Sequence, residues 1–149
     1  MTETRTETLA DTRAVIVERT LSHPPAKVWR ALTERDLLAR WIMPNDFAAE
    51  RGHSFAFRTE PSPHWKGVVH CEVLEIDPIT RLVLRWGDGT PDEGGFVTTV
   101  AFTLTPDGAG AKLRMEQGPF TPDQEGNRKG AEFGWNRMMD NVAPVLADL

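Results

Sequence analysis

The residues from Thr121 to Leu149 constrain the fold most, because they carry an unbroken helical period in a chain that otherwise alternates like strands. Ala131, Trp135, Met138, Met139, Val142, Val145, Leu146 and Leu149 recur at three- and four-residue steps, which places them on one side of a long helix. Thr121 serves as N-cap, Pro122 fits the first turn because its missing N–H has no partner there anyway, and Gln124 completes a capping box. Gly126, Gly130 and Gly134 weaken the first half by about 1 kcal/mol each relative to Ala, so the helical signal is strongest from Lys129 onward. Pro144 bends the far end, since its ring clashes with the carbonyl of Asp140. Such a stripe needs a surface to cover, and the rest of the chain supplies a sheet.

Arg13 to Leu21 (RAVIVERTL) is a β-branched run that reads as a first strand. Pro24 and Pro25 open a short helix to Thr33, with Val28, Trp29 and Leu32 at helical spacing. A second short helix takes Asp36 as its cap, carries Leu37, Leu38, Trp41 and Ile42 on one side, and ends at Pro44 and Asn45. The period then becomes alternating. Phe47 to Glu50 reads as a short strand, Arg51-Gly52 as a turn, and His53 to Glu60 (HSFAFRTE) as its hairpin partner. Trp65 to Ile76 and Arg81 to Trp86 flank the Asp77-Pro78 turn, and Gly87 to Gly95 (GDGTPDEGG) reads as a flexible loop. Phe96 to Thr105 has the best strand propensity, and Asp107-Gly108-Ala109-Gly110 turns it into Ala111 to Gly118. The expected fold is therefore α+β: a curved antiparallel sheet of about seven strands, two short helices after the first strand, and a long C-terminal helix lying over the concave face.

At 149 residues the chain fits one domain, which buries about 70% of its unfolded surface. Residues 1–12, rich in Thr and Glu, read as a mobile tail, and 13–149 as the domain. The net charge of -5, without a basic cluster, argues against nucleic acid as a partner. No apolar run approaches the ~20 residues that span a bilayer, and the start of the chain lacks a secretory pattern, so a cytoplasmic protein with no membrane partner is expected. The single Cys71 has no internal disulfide partner, in keeping with a reducing compartment.

With this element order in place, the chain resembles the START-like (SRPBCC, helix-grip) superfamily, and within it the branch similar to the C-terminal domain of the activator of Hsp90 ATPase. The match is carried by VERTLSHPPAKVWRALTERDLLARW (Val17 to Trp41), GVVHCEVLEIDPITRLVLRW (Gly67 to Trp86), TTVAFTL (Thr98 to Leu104) and GWNRMMDNVAPVLADL (Gly134 to Leu149). The resemblance implies a cavity between the long helix and the sheet that receives small apolar or amphipathic molecules, and it implies no single reaction and no cofactor. The eukaryotic co-chaperones of that branch carry a separate N-terminal domain, which this chain is expected to lack, so an Hsp90 interaction is doubtful.

The expected pocket wall comprises Trp41, Phe55, Phe57, Trp65, Trp86, Met115, Phe120, Trp135, Met138 and Met139, because aromatic and flexible Met side chains suit an adaptable apolar site. The same residues equally serve plain core packing. His53 shares strand phase with Phe55 and Phe57, and Gln117 with Met115, so both are polar candidates for the same cavity. His53 has no acid tied to it by spacing, and no catalytic residue is assigned. His53, His64, His70 and Cys71 lack the spacing of a metal set, so no metal is expected; Cys71 reads as a small buried apolar residue. Phe133 falls opposite the Met138 stripe and is a candidate homodimer contact. The leading expectation is a binding protein for a small hydrophobic or amphipathic molecule. A cyclase- or hydrolase-type enzyme using the same cavity and an Hsp90-linked interaction module are the alternatives.

Overall fold

The structure, a computed structural model, describes residues 13–63, 67–88 and 96–149. Strand alternation sorts each strand into an inner and an outer row. On β1 (Arg13–Leu21), Val15 and Val17 are buried, whereas Ile16 and Glu18 face out. On β5 (Phe96–Asp107), Thr98, Val100, Phe102 and Leu104 point inward, and on β6 (Gly110–Phe120) Leu113, Met115 and Gln117 do so. With β2 (Ser54–Arg58), β3 (Val68–Asp77) and β4 (Arg81–Asp88), these form one six-stranded antiparallel sheet in the order β1-β6-β5-β4-β3-β2. Strands β2 to β6 meander, and β1 closes onto β6, with Val17 opposite Met115.

Helices α1 (Pro25–Thr33) and α2 (Arg35–Trp41) follow β1, while α3 (Glu125–Asp140) and α4 (Val142–Ala147) end the chain. Val28, Ala31 and Leu32 of α1, Leu37 and Leu38 of α2, and Val142, Val145 and Leu146 of α4 are buried together at one end of the sheet. Each such side chain contributes about 1.5–3 kcal/mol on leaving water. No helix among the described residues is long and apolar enough to cross a membrane.

Several sequence expectations change in detail. The strand expected at Phe47 to Glu50 does not form, which leaves six strands in place of about seven. Side chains intercept its hydrogen bonds: Asn45 Oδ1 accepts from Phe47 N at 3.0 Å, and Asp46 Oδ1 accepts from Ala56 N on the outer edge of β2 at 2.8 Å. Gly52, at φ +89°, makes the expected turn, but its N–H goes to Val73 O of β3. Helix α2 begins one residue before its expected cap, so Asp36 lies in the first turn, where a carboxylate favours the helix dipole. Gly87 and Asp88 continue β4 instead of opening the loop; residues 89–95, like the expected tail at 1–12, lie outside the described residues. The C-terminal helix begins at Glu125, preceded by a 3-10 turn at Pro122–Gln124 in which Gln124 Oε1 accepts from Thr121 N at 2.9 Å. It divides at Asn141, three residues before Pro144.

Candidate functional site

Helix α3 runs alongside β1 in the same direction. Arg19 of β1 donates to Asp140 Oδ1 at 2.9 Å and to Asn136 Oδ1 at 3.1 Å, which ties the far half of the helix to the strand edge. Only Trp135 and Met139 of α3 are fully buried, while Ala131 and Met138 are half-buried. Trp135 therefore carries the helix's contact into the centre of the sheet.

There it joins a continuous series of rings. Trp135 stands 5.2 Å from Trp86 and 5.7 Å from Phe102, and Phe102 meets Trp41 of α2 at 5.9 Å. In the other direction Trp86 meets Phe57 at 5.3 Å, Phe57 meets Phe55 at 5.4 Å, and Phe55 meets Phe47 at 5.2 Å. These centroid separations are those of direct edge and tilted contacts, too short to admit a further ring between them. Trp41 satisfies its indole by donating to Ala31 O at 2.9 Å, near the end of α1, where helix carbonyls lack intrahelical partners.

A short polar chain crosses this apolar interior. The Trp135 indole donates to Gln117 Oε1 at 2.7 Å, Gln117 Nε2 donates to Thr98 Oγ1 at 2.8 Å, and Thr98 Oγ1 donates to Trp86 O at 3.3 Å. Gln117 is 3% and Thr98 2% exposed, and they are the buried polar side chains among the described residues. Burying such groups is costly unless they are paired, so the chain of bonds fixes Trp135 over β5 and β6.

Toward the start of α3 the inner stripe turns charged. Arg128, two helical turns before Trp135, is only 15% exposed at its side chain and grips Glu125 with two bonds, 2.9 and 2.7 Å. That guanidinium holds the Glu125 carboxyl down at about 2. A separate cleft of 820 Å³ lies outside the grip, where Thr33, Asp36 and Ala39 face Pro44 and Phe47.

The sequence profile described as activator of Hsp90 ATPase homolog 1-like protein matches residues 22–147. The chain belongs to that family. The Aha1-like fold is also that of MLL2253 from Mesorhizobium loti, similar at 41% identity over 91% of this chain and 98% of that one, with a TM-score of 0.83. CalU16 from Micromonospora echinospora shares the fold at 21% identity, covering 91% and 76% of the two chains, TM-score 0.74. The Aha1 dimer from Colwellia psychrerythraea does so at 16% identity, covering 90% and 96%, TM-score 0.76. No protein with a curated description matches the chain.

Within this Aha1-like domain, Trp41, Phe55, Phe57, Trp86, Met115, Gln117, Phe120, Trp135 and Met139 all lie in the buried interior, and Met138 sits at its margin. Trp65 and His64 fall outside the described residues. His53 stacks on Phe55 at 6.1 Å, in keeping with their shared phase, but its Nε2 lies 2.9 Å from the backbone oxygen of Asp46. Cys71 is buried with its thiol pKa pushed far up by desolvation, while neighbouring His70 is exposed. No group of three or more metal-ligating side chains occurs among the described residues. Sequence reasoning missed Thr98, Phe102, Phe47 and Arg128. The first two share the inward phase of Val100, so alternation alone places them. Phe47 was hidden in the strand that does not form, and Arg128 by its charge.

Proposed function

We propose that this Aha1-like protein is a carrier or receptor that holds a small hydrophobic or amphipathic molecule between α3 and the sheet, in the cytoplasm. What carries the reading is the meeting of seven aromatic side chains with the buried Gln117–Thr98 pair beneath a helix secured over the sheet through one indole. A filler core has no need of a buried carboxamide. Because the rings touch, a ligand enters by displacing side chains, and Trp135 and the half-buried Met138 are those that a tilt of α3 carries away. The test is gentle-ionisation mass spectrometry of the purified chain, then solvent extraction and identification of what was bound. A stoichiometric small molecule, lost on Trp135→Ala, supports the carrier reading; a bare mass both as purified and after incubation with cell lipid extract overturns it.

A second reading, an interaction module linked to Hsp90 or to a second copy of the chain, draws on the family description and on Phe133, which is 67% exposed on the outer side of α3. Its test is Hsp90 pull-down together with sedimentation velocity. Absence of both capture and dimer, or a dimer unaffected by Phe133→Ser, removes Phe133 from the account.

A further inference from the structure

Among the described residues the buried inward side of the sheet is apolar except at Thr98 and Gln117, and of the two only Gln117 has a donor to spare. A carboxamide carries two N–H donors and an oxygen with two lone pairs. The fold uses one N–H, on Thr98 Oγ1, and one lone pair, for the Trp135 indole. Every buried side-chain nitrogen and oxygen among the described residues has at least one partner, so the domain is complete without a ligand. Gln117 nevertheless keeps one donor and one acceptor in a place 3% exposed, beside Trp86, Trp135 and Phe102, where bulk water does not serve them.

We infer that Gln117 anchors the polar group of an uncharged ring compound, a group that both donates and accepts, as a lactam, carboxamide or hydroxyl does. The inference rests on the carrier reading above and names the class of molecule carried. The aromatic walls favour a flat unsaturated skeleton over a saturated chain. Charge is excluded by what surrounds the anchor. The buried polar side chains among the described residues are Thr98 and Gln117, both neutral, and the cation on the inner stripe, Arg128, is already held by both oxygens of Glu125. A carboxylate brought to Gln117 loses its hydration and gains no counter-ion. A ligand donor that takes the place of the displaced indole on Gln117 Oε1 restores the bond which opening the helix removes.

The full chain is titrated with three ring compounds of similar size: 2-quinolone, a neutral lactam; naphthalene, without a polar group; and 2-naphthoate, an anion at neutral pH. Calorimetry gives affinities, and ¹⁵N spectra follow the Gln117 side-chain amide and the Trp135 indole. The lactam is expected to bind about tenfold more tightly than naphthalene and to move both resonances, with the anion weakest. Gln117→Met is expected to reduce the lactam to the affinity of naphthalene. Equal binding of 2-naphthoate and 2-quinolone, or a lactam preference that survives Gln117→Met, overturns the inference. Should naphthalene bind and 2-quinolone bind no better, the anchor falls while the carrier reading stands; should none of the three bind, both fall. The three-probe comparison and the Gln117 resonances need no variant, so the anchor is judged even if Gln117→Met fails to fold.

Discussion

Ile79 holds φ at +71° in the turn between β3 and β4, closed by Thr80 N donating to Asp77 O at 3.0 Å. A branched Cβ is poorly suited to that region, which glycine enters freely, and the Ile79 side chain is largely exposed and gains little in return. Ile79→Gly is expected to raise stability by about 1 kcal/mol, read from urea unfolding. Gln117 is the opposite case. Its replacement by Met keeps the length but leaves the Trp135 indole without its buried partner and the Thr98 hydroxyl with Trp86 O alone, and is expected to lower stability by about 1–3 kcal/mol in the same assay. Alternation along the strands already placed Phe55, Phe57, Trp86, Met115 and Gln117 on one inward surface. It could not tell which inward residues touch one another, because the Trp135–Gln117 bond joins positions 18 apart in sequence, on different elements. Thr98 was legible by phase and passed over because threonine reads as a surface residue.

The elements repeat the lesson with different causes. The stripe from Ala131 to Leu146 set the length and buried side of the C-terminal helix, and Pro144 announced its division, since a proline ring excludes the carbonyl four residues back. The strand expected at Phe47 to Glu50 failed because Asn45 and Asp46 take the local backbone N–H groups, a competition that apolar alternation does not register. In the first turn of α3, Glu125 sits at about 2, lowered from 4.5 by Arg128. A folded-state value below the ordinary one means that the pair's contribution is fully present above pH 4.5 and is lost as pH falls toward 2. Thermal unfolding across that window should show a shallower acid loss in Glu125→Gln than in the parent, and the difference should shrink in high salt, since the Glu125 carboxylate is exposed to solvent.

For the whole molecule, the order of strand, helix pair, meander and closing helix was legible because the helical and strand periods are distinct. The proposed ligand site was not legible to the same degree: the residues that line a hollow and those that fill a core are chosen by the same hydrophobicity, and the proposal rests on the position of Gln117 among the rings. The arrangement also bears on how the domain comes into being. Strand β1 finds its neighbour in β6, and α3 then covers β1, so the earliest structured segment waits for the latest before its edge and inner face are both satisfied. During synthesis the meander can begin to pair while β1 has no partner at all. The native sheet therefore closes only after β6 has left the ribosome, and until that moment β1 presents an unpaired strand edge at the front of the domain.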